Sequence, residues 1–507
     1  MNGGGADADG GETFTMATLA ELRRGVVLSD ARSHPGSATL VTGHESPVAD
    51  VESSLYEVRR KIYPRAVHGW WAGWRWALVW LTQVIYYGLP WLSWNGRQAV
   101  LFDLGARKFY IFGLVFWPQD VIYLAVLLIV SALSLFLFTA LAGRLWCGYA
   151  CPQTVYTEIF MWIERRIEGD RAARMRLDQA PWTAHKLFLK AAKHVAWVAL
   201  AVWTGFTFVG YFTPITALAQ NAAVLALGPW ETFWIFFYGF ATWGNAGFMR
   251  EQVCKYMCPY ARFQSAMFDP DTLVITYDAR RGEPRGSRKR SADYRAAGLG
   301  DCVDCGICVQ VCPTGIDIRN GLQYECIGCA ACIDACDQVM DRMSYPRGLI
   351  RYSTESAIER GYAAREIVRR VLRPRTVLYG AILLAVVAVL VAALYLRLPL
   401  KVDVIRDRAT LVRETSEGLL ENVYRLQVMN TQEEPHRYSL GVSGLAGIQI
   451  IAKQPVEIAA ASTLTIPVSV QVDAAKLKRG SHAITFHVID LDRPEIAVNE
   501  QSRFFVR

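Results

Sequence analysis

The chain has 507 residues, of which 52% are hydrophobic, and it carries a formal net charge of +8. This length accommodates two or three domains. The basic residues are unevenly distributed in the way that membrane topology determinants are, which argues against nucleic-acid binding. All twelve cysteines fall in short motifs that we place on one reducing side of a membrane, so structural disulfides are excluded.

The first segment of the chain, residues 1–55, is rich in Gly, Ala, Asp and Ser. It lacks the apolar core of a signal peptide, and its composition is typical of a segment that cannot bury enough apolar surface to fold. We predict a disordered cytoplasmic tail.

Five long apolar stretches predict transmembrane helices, because about 20 uncharged residues in a helix cross the hydrocarbon core of a bilayer. They are residues 76–94, 121–141, 195–212, 230–249 and 377–396. The second and fifth are uniformly apolar, whereas the other three are rich in aromatic residues and have a buried soluble helix as their alternative. We assign the first four to a membrane region at 56–262 and the fifth to 376–397.

The placement of Lys and Arg predicts the orientation of these helices. Basic residues are frequent before the first stretch, at 144–194 and at 250–375, whereas residues 213–229 contain none. Because basic loops stay on the cytoplasmic side, these three segments are predicted to be cytoplasmic and the chain after 397 periplasmic. The chain is therefore predicted to be a multi-pass protein of a bacterial inner membrane.

Two matched cysteine pairs follow predicted spans directly. They are "WCGYACPQ", with Cys147 and Cys151, and "VCKYMCPY", with Cys254 and Cys258, and corresponding cysteines lie 107 residues apart. Such an internal repeat predicts a pseudo-twofold axis along the membrane normal. We expect each pair to share one helix face, with the following proline ending or kinking the helix. Four thiolates could then form one site for Cu(I), zinc or an iron–sulfur cluster; the alternative is that they only pack helix ends.

The remaining eight cysteines form two runs with the spacing Cys-x2-Cys-x2-Cys-x3-Cys inside a cytoplasmic segment at 263–375. This pattern is typical of bacterial two-cluster ferredoxins, in which the fourth cysteine of each run binds the other cluster. Zinc sites use two-cysteine knuckles and do not fit. We predict an α+β ferredoxin domain at about 295–345 with two 4Fe-4S clusters. The predicted ligand sets are Cys302, Cys305, Cys308 and Cys336 for the first, and Cys312, Cys326, Cys329 and Cys332 for the second.

The last segment, residues 398–507, alternates apolar and polar residues between turn-forming clusters. This pattern predicts an all-β, Ig-like sandwich that docks a periplasmic or membrane partner. The predicted fold class is thus a multi-domain membrane protein. It combines a bundle of about five transmembrane helices, a two-cluster ferredoxin domain and a C-terminal Ig-like sandwich.

With these motifs placed, the chain closely resembles the cytochrome c oxidase accessory proteins of the CcoG/FixG/RdxA type. The resemblance runs from about residue 63 to the C-terminus and is most specific in "GRLWCGYACPQTVYTEIF", "VCKYMCPYARFQSAMFDPDTL" and "CPTGIDIRNGLQYECIGCAACIDACDQVMDRMSYPRG". It implies an inner-membrane protein with two 4Fe-4S clusters that is needed to assemble the cbb(3)-type oxidase. It also implies reduction of Cu(II) to Cu(I) in the cytoplasm, with the Cys-x3-Cys-Pro pairs as proposed metal sites.

Together these observations predict a membrane-bound metalloreductase. An unidentified cytoplasmic donor would reduce the clusters, and Cu(II) would be reduced at the catalytic and metal-binding residues Cys147, Cys151, Cys254 and Cys258. Expected partners are copper ions, oxidase assembly factors or copper exporters and chaperones, and a second copy of the chain. Two alternatives stay open: an electron-transfer subunit between the quinone pool and a partner, and an oxidase-assembly scaffold whose clusters are structural.

Overall fold

The computed structural model describes residues 61–407, 412–416, 418–473 and 477–506, so the predicted tail at 1–55 lies outside the described residues. Residues Ile62–Arg507 form one unit. Within it, helices occupy most of the chain up to Tyr395 and strands occupy most of the remainder.

The helices of the described chain are numbered here in order. They are α1 (Trp70–Gly88), α2 (Val121–Ala142), α3 (Leu145–Tyr149), α4 (Pro152–Glu168), α5 (Arg171–Gln179), α6 (Ala184–Val209), α7 (Ile215–Ala223), α8 (Pro229–Thr242), α9 (Pro259–Met267), α10 (Ala279–Gly282), α11 (Ile307–Val311), α12 (Ala331–Met343), α13 (Glu355–Arg360), α14 (Ala364–Val371) and α15 (Pro374–Tyr395). Two π-helical segments, Trp243–Met249 and Val253–Met257, connect α8 to α9.

Three of these helices are long and apolar enough to cross a bilayer: Pro118–Ala142, Ala184–Val209 and Pro374–Tyr395. They correspond to the second, third and fifth predicted spans, and the protein is accordingly membrane-associated. The helices at the first and fourth stretches, α1 and α8, do not reach the same length and hydropathy within the described residues. A bundle of five spans and its orientation therefore stay predictions.

The prediction for the first stretch was wrong in its bounds. Helix α1 begins at Trp70 and ends at Gly88, where the chain passes through a short 3-10 turn containing Pro90, which has no N–H to continue an α-helix. Residues 93–116 then form two small antiparallel sheets that the sequence analysis missed. Their strands are β1 (Ser93–Trp94), β2 (Arg97–Gln98), β3 (Val100–Asp103), β4 (Lys108–Ile111) and β5 (Leu114–Phe116).

The C-terminal residues form the expected sandwich of two antiparallel sheets. The strands are β8 (Leu400–Arg406), β9 (Arg413–Glu414), β10 (Leu419–Asn430), β11 (His436–Ser443), β12 (Gln449–Ile451), β13 (Val456–Ile458), β14 (Thr463–Asp473), β15 (Gly480–Asp490) and β16 (Ala497–Val506). One sheet has the order β12-β14-β10-β8, with β9 also paired to β10, and the other has the order β13-β11-β15-β16. Along β10 every second side chain, Tyr424, Leu426 and Val428, is fully buried, as a two-residue period requires of an inward face.

The sandwich packs on the small sheet β3-β4-β5 through apolar and charged contacts. Val115 and Trp117 form one buried cluster with Met429 of the sandwich. Asp120, which is 4% exposed, accepts a hydrogen bond from Arg397 at 2.7 Å and pairs with Lys401. A buried carboxylate with two cationic partners fixes the loop before α2 to the first strand of the sandwich.

The ferredoxin fold lies between α9 and α14. Strands β6 (Val274–Tyr277) and β7 (Ile350–Ser353) pair antiparallel, and α11 and α12 lie between them in the sequence. Both strands lie outside the predicted limits of about 295–345. The hydrophobic core between them includes Met340, Leu349 and Ile350 together with several cysteines, so the cysteine loops are part of the core of this domain.

A buried ionic network joins α4, which begins at the first cysteine pair, to α5, to α6 and to the segment just before the second pair. Glu164 of α4, 2% exposed at its side chain, lies 2.8 Å from Arg174, 3.1 Å from Arg250 and 3.7 Å from Lys193. Glu168 adds a contact of 2.9 Å to Lys193. Although burial opposes ionisation, these three cations hold the pKa of Glu164 below its ordinary value.

We expect Glu164→Gln to destabilise the protein by about 3–5 kcal/mol, because the buried Arg174 guanidinium then keeps its charge without a counter-ion. Since the folded-state pKa of Glu164 lies below the ordinary 4.5, its stabilisation is complete above that pH and is lost as the pH falls through the folded-state value. Thermal unfolding in detergent measures the change. The matched control is Asp341→Asn, which breaks the exposed pair with Arg347 and should leave the unfolding temperature unchanged.

Candidate redox and metal site

Four cysteines from both runs surround one cavity in the ferredoxin domain. Its lining includes Cys302, Cys305, Cys308 and Cys336, together with apolar side chains of α12 and β7. Three of the cysteines come from the first run and the fourth from the end of the second run, across the domain. A cavity with four sulfur donors and mostly apolar walls, with Arg319 as the charged residue of the lining, fits a 4Fe-4S cluster.

The loop geometry that brings these sulfurs together repeats in the two runs. Gly306 and Ala330 each follow the second cysteine of their run, and both adopt left-handed backbone conformations, with φ of 63° and 58°. Each of these residues then caps the helix that carries the third cysteine, α11 or α12. The left-handed residue reverses the chain so that all three sulfurs of a run face one point.

The thiols of the second set also lie in a buried environment, with none of them exposed. Burial raises the pKa of Cys332 well above its ordinary value, with further contributions from Cys326, Cys329, Cys312 and then Cys308. Burial also raises the pKa of Cys326 to about 12. Cys312, Cys326, Cys329 and Cys332 affect one another's pKa values, so they lie close together. The contribution of Cys308 to the pKa of Cys332 shows that the two sets adjoin. Metal loading of such thiols has to displace protons.

The Cys-x3-Cys-Pro pairs do not have the local structure that we expected. Cys147 lies in the short helix α3, whereas Cys151 is the N-cap residue of the next helix, α4. Likewise Cys254 lies in a π-helical segment, and Cys258 is the N-cap residue of α9. The proline after each pair therefore begins a helix instead of ending one, because proline is well tolerated at the first helical position, where its missing N–H is not needed.

The structure nevertheless brings the two pairs together. Burial and then Cys151 raise the pKa of Cys147 to about 11. Burial, followed by Cys151, Cys147 and Cys258, raises the pKa of Cys254 to about 12. The mutual influence of these thiols places all four in one neighbourhood, which we call the paired-cysteine site. In the absence of a metal, burial keeps at least Cys147 and Cys254 protonated at neutral pH.

The paired-cysteine site lies directly against the second ferredoxin set. Cys147 and Cys254 pack against a buried hydrophobic cluster of side chains that includes Cys329. Cys332 packs against the same side chains. The backbones are equally close: a Cβ atom at Gly148 would lie 2.8 Å from the amide nitrogen of Cys329. Only glycine permits this approach. The three groups of cysteines therefore form a continuous series from the first ferredoxin set to the membrane helices.

We expect Gly148→Ala to slow electron transfer between the second ferredoxin set and the paired-cysteine site by at least about tenfold, because the new methyl group pushes against backbone atoms and separates the two loops. Copper reduction by prereduced protein measures this rate, and iron content reports whether both clusters remain. The control is Gly380→Ala in α15, where an added Cβ has no atom within 4 Å. Equal rates in the two variants would show that this contact is not the route.

Several residues that sequence reasoning missed hold this arrangement in place. Asp334 of α12 accepts hydrogen bonds from the backbone N–H groups of Trp71 and Ala72, at 3.2 and 2.7 Å, and so caps α1. Arg75 donates to the carbonyl oxygen of Cys329 at 3.4 Å. The Cys147 thiol donates to Gln264 Oε1 at 3.4 Å. Most of these partners are more than 100 residues apart in the chain, so no local pattern could have revealed them.

The spacing of the sulfur atoms limits what the paired-cysteine site holds without moving. Of its four described sulfurs, no three lie within 4.8 Å of one another, and the same is true of the two ferredoxin sets. A single tetrahedral ion with Zn–S bonds of about 2.3 Å would bring its sulfurs to about 3.8 Å from one another. A cubane cluster binds each thiolate at a separate iron and keeps them farther apart. A single soft ion at this site would therefore require the sulfurs to move closer, whereas a cluster would hold them at a wider spacing.

Comparison with family models gives three matches. A 4Fe-4S dicluster domain model matches residues 249–355, which include Cys254, Cys258 and both ferredoxin runs. A 4Fe-4S binding domain model matches residues 124–169, which include Cys147 and Cys151. The model for the IG-like fold at the C-terminal of FixG matches residues 390–507. Iron–sulfur clusters and the Ig-like sandwich are therefore confirmed for this chain.

Three curated relatives align with most of the chain. Protein RdxA of Cereibacter sphaeroides is 42% identical over 403 residues, which are 78% of this chain and 85% of that protein. Nitrogen fixation protein FixG of Rhizobium meliloti is 42% identical over 428 residues, covering 78% and 82%. Protein RdxB of Cereibacter sphaeroides is 40% identical over 406 residues, covering 78% and 85%.

A crystal structure of a FixG-related protein from Vibrio parahaemolyticus is 31% identical to this chain. The match covers 22% of this chain and 97% of that one, with a TM-score of 0.20. The relatives, the family models and the apolar helices agree on the predicted resemblance. This chain belongs to the FixG/RdxA family of membrane-associated 4Fe-4S proteins.

Proposed function

We propose that this protein carries electrons through its iron–sulfur clusters and uses them to reduce Cu(II) to Cu(I) at the paired-cysteine site. The observation that carries the proposal is the packing of Cys147 and Cys254 against the buried apolar side chains that surround Cys329. This contact gives electrons from the ferredoxin domain a short route to a group of soft ligands at the helix ends.

In this proposal each ferredoxin set holds one 4Fe-4S cluster. Cys302, Cys305, Cys308 and Cys336 are the ligands of the first, which is supported by the cavity that they line. Cys312, Cys326, Cys329 and Cys332 are the ligands of the second, which is supported by their mutual electrostatic influence. The clusters supply one-electron redox chemistry, and the buried polypeptide around them keeps water and oxidants away from the sulfurs.

The paired-cysteine site favours the product of the reaction. Thiolate sulfur is a soft ligand that binds Cu(I) better than the harder Cu(II), so binding at this site raises the driving force for reduction. Each Cu(II) takes one electron and becomes one Cu(I), and the thiols that bind the ion release their protons to water. The reduced ion then passes to a copper exporter, a chaperone or an oxidase assembly factor, and the cytoplasm is the side on which we place the site.

The direct test is a single-turnover measurement of stoichiometry. The full chain is purified without oxygen, reduced with dithionite, freed of dithionite and mixed with excess Cu(II), and Cu(I) is measured with a chelating dye. We expect two Cu(I) per protein, one for each cluster, together with eight irons by metal analysis. Failure to form more Cu(I) than the iron-free protein would overturn the proposal.

A third cluster at the paired-cysteine site is the second candidate for that site, supported by the sulfur spacing and by the match of a 4Fe-4S binding domain model to residues 124–169. Twelve irons and three Cu(I) per protein would support it. In that case copper would be reduced beside the third cluster and not on the four sulfurs themselves, while the overall reaction would be unchanged.

A further inference from the structure

We infer that the electrons come from a membrane quinol, which binds in the large groove between α1, α4 and α6. The groove is a cavity of about 1140 Å³ that opens along α1. Its lining includes Trp76, Val79, Trp80, Gln83 and Tyr87 of α1, with Leu200 of α6 opposite. A cavity of this size takes an aromatic head group together with the first part of an isoprenoid chain.

The lining of the groove selects a ligand that is soluble in lipid. Trp80 and Val84 are 66% and 65% exposed, and they lie next to α6, which is one of the three helices able to cross a bilayer. These exposed apolar side chains are therefore presented to lipid, and the groove opens sideways toward the hydrocarbon region. A water-soluble donor such as a nucleotide has no favourable route into such a space.

One polar group in the groove lacks a partner. Gln83 is 9% exposed, and its Oε1 atom accepts no hydrogen bond from the described residues. A buried acceptor without a donor is costly, so the site favours a ligand that supplies an O–H group there. A quinol has two phenolic hydroxyls, whereas the acyl chain of a phospholipid has none. Because Oε1 itself is buried, the Gln83 amide has to rotate toward the groove to accept from one quinol hydroxyl, and we place the ring between the neighbouring aromatic side chains.

The groove adjoins the second ferredoxin set. Val67 lines the groove and also packs against the buried hydrophobic side chains around Cys329. Arg75, which donates to the carbonyl oxygen of Cys329, precedes Gln83 by eight residues, or about 12 Å along the helix axis. The quinol ring is thus placed about 12 Å along α1 from the side chain that contacts the second ferredoxin set.

The arrangement of two adjoining cysteine sets also matches the electron count. A quinol is oxidised to a quinone with the loss of two electrons and two protons. The cysteines of the two adjoining sets would hold two one-electron carriers side by side, which together would accept both electrons of one quinol. The two phenolic protons go to water at the polar end of the groove, where His68 and Arg166 lie. One quinol therefore reduces two Cu(II).

The inference rests on the proposed function only for the fate of the electrons, and it is tested without copper. Full-length protein in lipid nanodiscs is mixed anaerobically with decylubiquinol or with a menaquinol analogue, and bleaching of cluster absorbance gives the rate of reduction. We expect Gln83→Leu, which removes the acceptor, to slow this rate by at least about tenfold. Reduction by dithionite and iron content should stay as in the wild type.

A second variant fills the groove without disturbing the fold. Gly73 lines the groove, and an added Cβ there has no atom within 4 Å, so Gly73→Leu should slow the reaction with quinol to a similar extent. Gly380→Leu is the matched control, because Gly380 has the same free space on α15 away from the groove. In all three variants, copper reduction by dithionite-reduced protein should be normal, which separates this inference from the proposed function.

Three results would overturn the quinol site. Wild-type clusters that stay oxidised with both quinols would make the donor a different molecule. Alternatively, Gln83→Leu and Gly73→Leu could react with quinol as fast as Gly380→Leu, which would place the quinol elsewhere. Finally, native mass spectrometry could find a phospholipid that Gly73→Leu displaces with no change in the rate, which would assign the groove to a structural lipid.

Discussion

The double variant Cys147→Ser/Cys254→Ser is expected to lose copper reduction by at least about 100-fold while it keeps both ferredoxin clusters. These two residues pack on the buried side chains that include Cys329, so they connect the paired-cysteine site to the second ferredoxin set. Removal of ligands should have a larger effect than the 10- to 100-fold that outer-shell partners of a metal typically contribute. The measurement is the rate of Cu(I) formation by prereduced protein, with iron content measured on the same sample.

The other members of the two pairs provide the comparison. Cys151 and Cys258 are the N-cap residues of α4 and α9, and they belong to the same site. If all four sulfurs act as one metal centre, Cys151→Ser/Cys258→Ser loses activity to the same extent. Retention of copper reduction within about twofold in the first double variant, with eight irons present, would show that copper is reduced elsewhere in the protein.

The second large effect is expected from the difference between the two ferredoxin sets. We expect Cys329→Ala to lower copper reduction by at least about 100-fold, because among the described residues it is the second ferredoxin set that packs against Cys147 and Cys254. Cys305→Ala, in the first set, should instead leave the rate of the first electron unchanged and reduce the yield from two Cu(I) per protein to one.

Metal analysis and thermal unfolding complete this experiment. Both variants should retain about four irons, and similar unfolding temperatures would show that neither effect reflects a loss of the fold. An equal loss of rate in the two variants would mean that both clusters are needed for every electron. It would thereby contradict the placement of the first cluster as a store beside the second cluster, outside the route to copper.

Local patterns in the chain were sufficient to predict its parts. The spacing of the eight cysteines predicted a two-cluster ferredoxin domain, because three thiols at steps of three residues surround one cluster whatever the rest of the chain does. Alternation of apolar and polar residues predicted the sandwich, because side chains of a strand point to opposite faces. Runs such as residues 121–141 predicted membrane helices from length and hydropathy alone.

Local patterns failed where two structures are possible for the same residues. Proline after Cys151 and Cys258 is compatible with the end of one helix or the start of the next, and only the fold shows that α4 and α9 begin there. The aromatic stretch that begins at Trp76 has no clear end in its hydropathy. Its helix ends at Gly88, six residues before the predicted limit, because the following residues pair as strands beside the sandwich.

The sequence by itself determined that this protein holds iron–sulfur clusters, since the number and spacing of its cysteines are typical of 4Fe-4S ligands. Only the tertiary structure decided how the three groups of cysteines are arranged. The contact of Gly148 with Cys329, the cap that Asp334 gives to α1 and the groove around Gln83 join residues that are far apart in the chain. Such contacts depend on how whole helices pack, and packing follows from the three-dimensional fit of many side chains, which no local pattern records.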